Sequence, residues 1–519
     1  MSDIDQAIRD VVKGASIVTI GLILELLIAF VAQVIVARSL EVGSFGGIVI
    51  GTAIIDIGAI VAGLGLASGL TRYLPRVEDV EKLSLALFTL ATTLLTSSVL
   101  GAGVALNASF IATEFFGDPN VASTIQIFGA AIPFATLLNS AVGGIRGQER
   151  STYWVVVKNI VHPIARITLV VGVAVYTLDQ AGLTEAQRQS GFALAYAIPY
   201  VVSAIVGLGL LYRALPQGGL SFNWERIEEV TRYSLPFTVT GISSFIYRSI
   251  DIFLIAFFLG QYANGIYGVA YAAVSFMGMF STAFNFLGSP IASRLERDGT
   301  AEDAMQMFQA VVRWLIVVSV CALVPLGVFA TDFITIIYEP RYASGGTVLT
   351  VLAVGFATKN VLSIHNSILE AVGRSKILSV NSALAAVTNL TLNWVLIPRY
   401  GIIGAAVATS VSFLLRDGLA AAQVYLALGE TPLSWRGVRP VVLAVPFLWI
   451  VASVVAPATP GTFLWLVGTT GLASTVYVTV VLLVFGLTET DVMIIRSAEE
   501  QYGLPLGWID WLIRRLADR

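Results

Sequence analysis

The chain has 519 residues, of which 56% are hydrophobic and only 12% charged, with a formal net charge of −3. Soluble domains carry about 25% charged residues, so this composition excludes a soluble protein and specifies a polytopic membrane protein. The single cysteine, Cys321, excludes an internal disulfide and a thiolate metal site.

The amino-terminal stretch MSDIDQAIRDVVKGAS lacks the basic region and small-residue cleavage site of a signal peptide, so the first apolar run is expected to be retained. A run of about 20 apolar residues spans a bilayer. Reading such runs in order predicts fourteen helices, at 14–38, 45–71, 83–106, 121–145, 152–176, 190–212, 234–259, 264–290, 305–330, 347–371, 377–397, 401–427, 438–456 and 462–487. Positive charge tests the count, because cytoplasmic loops are enriched in Lys and Arg. Alternate segments, starting at the amino terminus, hold twenty of the thirty basic residues; the opposite segments hold only Arg38, Arg188, Arg341 and Arg399. Fourteen spans with both termini in the cytoplasm follow, in a cytoplasmic membrane.

The connections are short. Asn107 opens a glycosylation sequon in the 107–120 loop, but it lies too close to the third span to carry weight. The stretch 213–233 joins spans six and seven and reads as a linker with a short interfacial helix. After Leu487, Thr488 and Asp491 form a helix-capping pattern. The last segment, GWIDWLIRRLADR, puts Trp508, Leu512 and Leu516 on one helical face and Asp510, Arg514 and Arg515 on another. That amphipathic pattern suits either the inner membrane interface or a solvated tail.

The two halves echo each other. GSFG (43–46) opens span two and GIYG (265–268) opens span eight; Asn139 and Ser140 of span four match Asn366 and Ser367 of span ten. Duplication of a six-span unit predicts two halves of like topology, related by an axis along the membrane normal. The expected organisation is residues 1–213 as one lobe, 214–233 as a cytoplasmic linker, 234–430 as a second lobe, 431–488 as two extra spans, and 489–519 as a cytoplasmic tail.

These stretches carry a resemblance. GIIGAAVATSVSFLL (401–415) preceded by LIPRY, VARSLEVGSFG (36–46), LGLASGLTRYLPR (64–76) and YRSIDIFLIAFFLGQYANGIYG (247–268) are similar to the polysaccharide flippases of the multidrug/oligosaccharidyl-lipid/polysaccharide exporter superfamily. The tail LTETDVMIIRSAEEQYGLPLG resembles archaeal members more than bacterial ones. The resemblance covers nearly the whole chain in order. It implies two six-helix lobes in a V around a central cavity, alternating access, and a polyprenyl- or dolichyl-phosphate-linked glycan as cargo. In relatives that flip cell-wall precursors, the last two spans form a groove for the lipid tail.

Charges inside the membrane cost about 2.5–3.5 kcal/mol each on insertion scales and so mark candidate sites. Lys158, His162 and Arg166 of span five are spaced to share one helical stripe, as are Lys359, Ser363, Asn366 and Glu370 of span ten, with His365 beside them. Arg248, Arg313 and Arg416 add cations; Glu25, Asp56, Asp251, Glu370 and Asp417 add acids. One reading is a cationic cavity for phosphate and sugar, since the arginine fork binds phosphate oxygens bidentately. The other is mutual pairing. Arg248, Asp251, Lys158, Arg166, Lys359, Arg416 and Asn366 are the candidate substrate residues, with Asp251 orienting Arg248 one turn away. Arg313 is expected to snorkel to the interface. Glu25 and Asp56 either bind Na+ or H+ to couple transport or neutralise the arginines. His162 is either packed or a proton carrier.

The leading function is a flippase for lipid-linked oligosaccharide or polysaccharide precursors. A cation-coupled multidrug exporter is the nearest alternative, but the candidate lining holds more basic than acidic groups. A membrane glycosyltransferase or polymerase would place acidic catalytic residues on sizeable outer loops, which the chain lacks. No phosphate-binding loop motif occurs, so the chain is not expected to hydrolyse ATP. No enzymatic activity, resident cofactor or nucleic-acid partner is expected. Membrane lipids are the surrounding partners, and the protein is expected to act as a monomer.

Overall fold

The structure, a computed structural model, describes residues 3–180, 182–216, 220–279, 301–456, 461–488 and 491–492. The second half of span eight and the amphipathic segment at the carboxyl end lie outside the described residues.

Every regular element among the described residues is a helix. This follows from the composition: in hydrocarbon each backbone N–H and C=O must find its partner within the chain, and an apolar helix achieves that alone. Among the described residues, eleven helices are long and apolar enough to cross a membrane, and Pro440–Val455 is a shorter apolar helix. The chain is therefore a multi-pass membrane protein.

Two continuous stretches are too long for single spans. Trp224–Ser275 has 52 residues and Ser375–Leu428 has 54. At 1.5 Å per residue each would run about 80 Å, against a hydrocarbon core of about 30 Å. Each is broken by one glycine with positive φ, Gly260 at 80° and Gly401 at 61°, a backbone region that side chains oppose. The sequence patterns GQY and GII thus mark sharp turns between successive spans.

Trp224 also begins a helix that runs without interruption into span seven, and Pro236 lies inside it. The interfacial helix expected at 213–233 is thus the first turns of that span rather than a separate element. Span two, read as 45–71, ends earlier, at Gly63, where Leu64 and Gly65 both take positive φ before a short helix at Leu66–Tyr73.

The helices pack as two compact units. One comprises Ile20–Val269 with Ala386–Ala405; the other comprises Ala270–Ala385 and Ala406–Arg519 with Met1–Thr19, as far as these are described. The boundaries differ from the two halves expected from the repeat because span seven and the start of span eight pack closely with span two. Gly46 and Gly265, equivalent residues of the repeated G-x-x-G pattern, meet there. A Cβ on Gly46 would lie 2.0 Å from the Gln261 carbonyl oxygen, and one on Gly265 would lie 2.1 Å from that of Val42. Small residues permit such backbone approach between membrane helices.

In the second unit the Ala301–Leu323 helix packs Val311, Leu315 and Val320 with Ala444 of the Pro440–Ile450 helix and Tyr477 and Val481 of the Phe463–Phe485 helix. Tyr477 Oη donates to the Pro440 carbonyl at 3.0 Å, satisfying its buried hydroxyl. The two last spans are therefore joined to span nine by a buried core.

Candidate functional site

Within the Ile20–Val269 unit, five charged side chains from four spans converge. Glu25 comes from span one, Asp56 from span two, Lys158 and Arg166 from span five, and Arg248 from span seven. Lys158 and Arg166 act electrostatically on Glu25; Arg248, Arg166 and Lys158 act on Asp56. Asp56 is solvent-accessible although protein surrounds it on most sides, which describes the wall of an open recess. Lys158 and Arg248 are exposed and Arg166 is half-buried.

Local structure explains how span five presents its cations. Pro163 has no N–H for the Asn159 carbonyl, and the helix widens to a π segment at Val156–Val161 just before it. The wider turn rotates Lys158 out of register with His162, so the three basic side chains do not share one stripe. His162 instead points into the protein, 6% exposed, with its ring 4.6 Å from that of Tyr200. Its Nε2 lies 2.8 Å from Arg166 Nη2 and its Nδ1 lies 3.3 Å from Ser203 Oγ. Arginine only donates, so Nε2 accepts and the ring proton sits on Nδ1, facing Ser203. His162 thereby positions Arg166, whose guanidinium also lies 5.4 Å from the Tyr196 ring. Arg166 Nε has no partner among the described residues. Asn159 donates to Glu25 Oε2 at 2.5 Å, fixing the carboxylate between the cations.

Asp251 does not face the recess. Asp251 is 1% exposed, accepts from the Tyr267 hydroxyl, and takes the Ile252 N–H at 3.0 Å. Arg248 is exposed and donates from Nε to the Ser244 carbonyl at 3.4 Å. Three residues along a helix separate their directions by about 60°, enough for one to enter the core while the other stays outside. Asp251 therefore joins span seven to the start of span eight, and Arg248 remains at the recess.

A second cluster occupies the other unit. Asn366 Nδ2 donates to Asp417 Oδ1 at 2.9 Å; Arg416 Nη1 lies 3.2 Å from the same oxygen, and its Nε donates to Ser382 Oγ at 3.2 Å. Arg416 is thus paired with its own chain neighbour. Lys359 lies over the rings of Phe356 and Phe413, at 4.9 Å and 4.4 Å. Ser363 keeps right-handed helical dihedrals (φ −61°, ψ −24°), so Lys359 and Asn366 lie along one apolar helix, Gly345–Glu370. Glu370 is exposed. His365 is fully buried, held by the Leu362 carbonyl at 2.8 Å and Thr431 Oγ1 at 3.3 Å.

Arg313 does not snorkel. It is 6% exposed, forms an ion pair with Asp491, and donates to Thr488 Oγ1 at 2.9 Å. Trp314 Nε1 donates to Asp491 Oδ1 at 2.9 Å, and the Thr488 amide donates to Oδ2 at 2.7 Å, so the expected capping pair is formed and recruits span nine as well. Arg313 therefore leaves the candidate lining. Sequence reasoning missed Asn159, Tyr196, Tyr200 and Ser203; the i, i+4 pair of tyrosines in span six was the available signal. Among the described residues, no group of three His, Cys, Asp or Glu side chains is placed to hold a metal ion.

This fold has known counterparts. The structure is similar to that of the lipid II flippase MurJ in an inward closed conformation, with a TM-score of 0.68, 14% identity, and coverage of 90% of this chain and 98% of that one. An inward-facing multidrug resistance transporter of the MATE family gives a TM-score of 0.63 at 13% identity, covering 78% of this chain and 94% of that one. In sequence the chain is 26% identical over 233 residues to the probable low-salt glycan biosynthesis flippase Agl15 of Haloferax volcanii, covering 44% of this chain and 48% of that protein. It is 23% identical over 416 residues to the probable flippase AglR of the same organism, covering 78% and 81%. The chain spans about half the length of the first curated relatives it matches. Residues 11–295, more than half of the chain, match the family described as polysaccharide biosynthesis protein, and the chain belongs to that family.

Proposed function

We propose that the protein carries a lipid-linked oligosaccharide or polysaccharide precursor across the cytoplasmic membrane by alternating access. The observation that carries this reading is the recess in which Lys158, Arg166 and Arg248 surround Glu25 and Asp56. Three cations against two acids leave net positive charge within the apolar spans, which suits a phosphate or pyrophosphate group. Arg166 is held by His162 through Nη2 and is only half-buried, a placement suited to a phosphate oxygen. The chain carries out no covalent chemistry in this account.

The finer architecture belongs to the same proposal. Splitting the two long stretches at Gly260 and Gly401 and adding Pro440–Val455 to the eleven apolar helices gives fourteen spans. The basic-loop pattern supports both termini in the cytoplasm. The repeat supports two six-span lobes (1–213 and 234–430) around a V-shaped cavity, with 214–233 as their link. The spans within 431–488, joined to span nine, suit a groove for a polyprenyl or dolichyl tail, and 489–519 is a cytoplasmic tail. The working unit is a monomer without a resident cofactor. Glu25 and Asp56 are the groups that would take Na+ or H+ if transport is ion-coupled.

The test is delivery of glycan to the cell surface. Arg166→Ala and Arg248→Ala should each abolish it while the protein remains folded in the membrane. Normal surface glycan with both variants would overturn the reading.

A further inference from the structure

A polar cavity of about 580 Å3 lies at one end of the second unit, well away in sequence from the charged recess. Its walls come from the opening of span nine (Gln306, Gln309), the end of span twelve (Tyr425) and the connection to span thirteen (Glu430, Thr431, Trp435). Each segment lies on the side that the basic-loop pattern assigns to the cytoplasm. The volume falls in the range of about 300–1,000 Å3 usual for small-ligand sites.

The chemistry of the lining narrows the ligand. Trp435 is 68% exposed and Tyr425 is 56% exposed, so both aromatic rings are open to the cavity mouth. Around them stand two carboxamides, a carboxylate and two hydroxyls, a set that both donates and accepts. Ser434 Oγ is buried and has no partner among the described residues. A lipid chain would leave these polar groups unpaired. A phosphate, which at neutral pH mainly accepts, would meet the Glu430 carboxylate, the one charge among the described lining side chains. A sugar ring fits both halves of the set: its hydroxyls donate and accept, and its C–H face is apolar enough to lie on an aromatic ring.

The cavity is also built firmly. Thr431 Oγ1 is held by His365 Nε2 at 3.3 Å and takes the Leu433 N–H at 3.2 Å. The residue after His365, Asn366, holds Asp417 and through it Arg416. One helical turn thus links the cavity loop to the charged cluster of the same unit.

We infer that this cavity is a neutral-sugar subsite, with a ring laid against Trp435 or Tyr425 and its hydroxyls engaged by Gln306, Gln309 and Glu430. Resting on the transport reading, its ligand is the glycan of the lipid-linked precursor, met on the loading side before translocation. The same chemistry would bind a free saccharide.

The test is saturation-transfer difference NMR on the purified full-length protein in detergent. The probes are glucose, mannose, galactose, N-acetylglucosamine and their disaccharides, with sodium pyrophosphate as competitor. The expected result is saturable transfer to at least one sugar, unaffected by pyrophosphate. Trp435→Ala and Gln309→Ala should each weaken binding by about tenfold, and Trp435→Phe should restore it. No transfer to any sugar, or transfer unchanged in both alanine variants, overturns the inference. Lipid-linked glycan from the native membrane should compete with the bound sugar. Failure to compete, with Trp435 dependence intact, assigns the subsite to a free saccharide. Sugar binding that depends on Trp435 while Arg166→Ala and Arg248→Ala leave surface glycan normal would retain the subsite and remove the transport reading. The reverse pattern would do the opposite.

Discussion

The join between span nine and the segment after the last span rests on one buried ion pair, and its removal gives a defined prediction. The side chains of Arg313 and Asp491 are 7% and 1% exposed. Removing one partner of such a pair costs about 3–5 kcal/mol, because the other charge stays buried without compensation. In Arg313→Met the Asp491 carboxylate keeps three donors: the Thr488 amide, the Thr488 hydroxyl and Trp314 Nε1. That retained bonding puts the cost at the lower end, about 3 kcal/mol. Asp491→Leu strands the guanidinium with Thr488 Oγ1 as its one acceptor among the described residues, so its cost lies at the upper end, about 5 kcal/mol. In the double variant both charges are gone, and the remaining loss is the acceptor for Thr488 and Trp314, about 1–3 kcal/mol. The double variant should therefore be more stable than Asp491→Leu alone, a coupling visible in a double-mutant cycle. Thermal unfolding of the purified protein in detergent, followed by tryptophan fluorescence, reads this order directly. A Tm for Arg313→Met equal to the parent, or additive losses in the double variant, would refute the buried-pair argument.

Other substitutions probe the remaining elements. His162→Phe keeps the ring against Tyr200 but removes the acceptor for Arg166; glycan delivery should fall at least about tenfold with little change in Tm, and His162→Gln should recover part of it. An unchanged rate in His162→Phe would remove His162 from the positioning role. Gly46→Ala and Gly265→Ala each force a methyl group onto backbone and should each cost about 1–3 kcal/mol, whereas Gly43→Ala, with open space around its Cβ, should be neutral. Equal Tm values for all three would mean that the close crossing of spans two and eight does not exist in the membrane. Gly260→Ala places a methyl group at φ 80° and should destabilise by about 1–3 kcal/mol, measured in the same melts.

The sequence shows where the chain crosses a membrane because that depends on composition over about 20 residues, a local property. It also flags the turns at Gly260 and Gly401, although their positive φ is a fact of the structure alone. Partnerships across the bundle follow no period and are much less legible. Asn159 and Glu25 are 134 positions apart, and Trp314 and Asp491 are 177 apart. Arg313 near the end of a span reads as snorkelling until Asp491 is seen beside it. Asp251, one turn from Arg248, reads as a cavity group until its burial against Tyr267 is seen. The stripe of Lys158, His162 and Arg166 assumes an unbroken α-helix, and the π segment forced beside Pro163 undoes that assumption. The basic residues were thus identifiable as unusual from position alone, whereas their roles depend on which acids the fold brings to them.

A net cationic recess that carries an anionic lipid-linked glycan can be tested by transport itself. The most direct measurement uses the purified protein in liposomes carrying a fluorescent lipid-linked oligosaccharide in both leaflets, with reagent accessibility reporting movement between them. The parent protein should transfer the lipid, Arg166→Ala and Arg248→Ala should each lose that transfer, and none of the three should transfer an organic cation. Transfer that survives both substitutions, or cation transport by the parent protein, would contradict it.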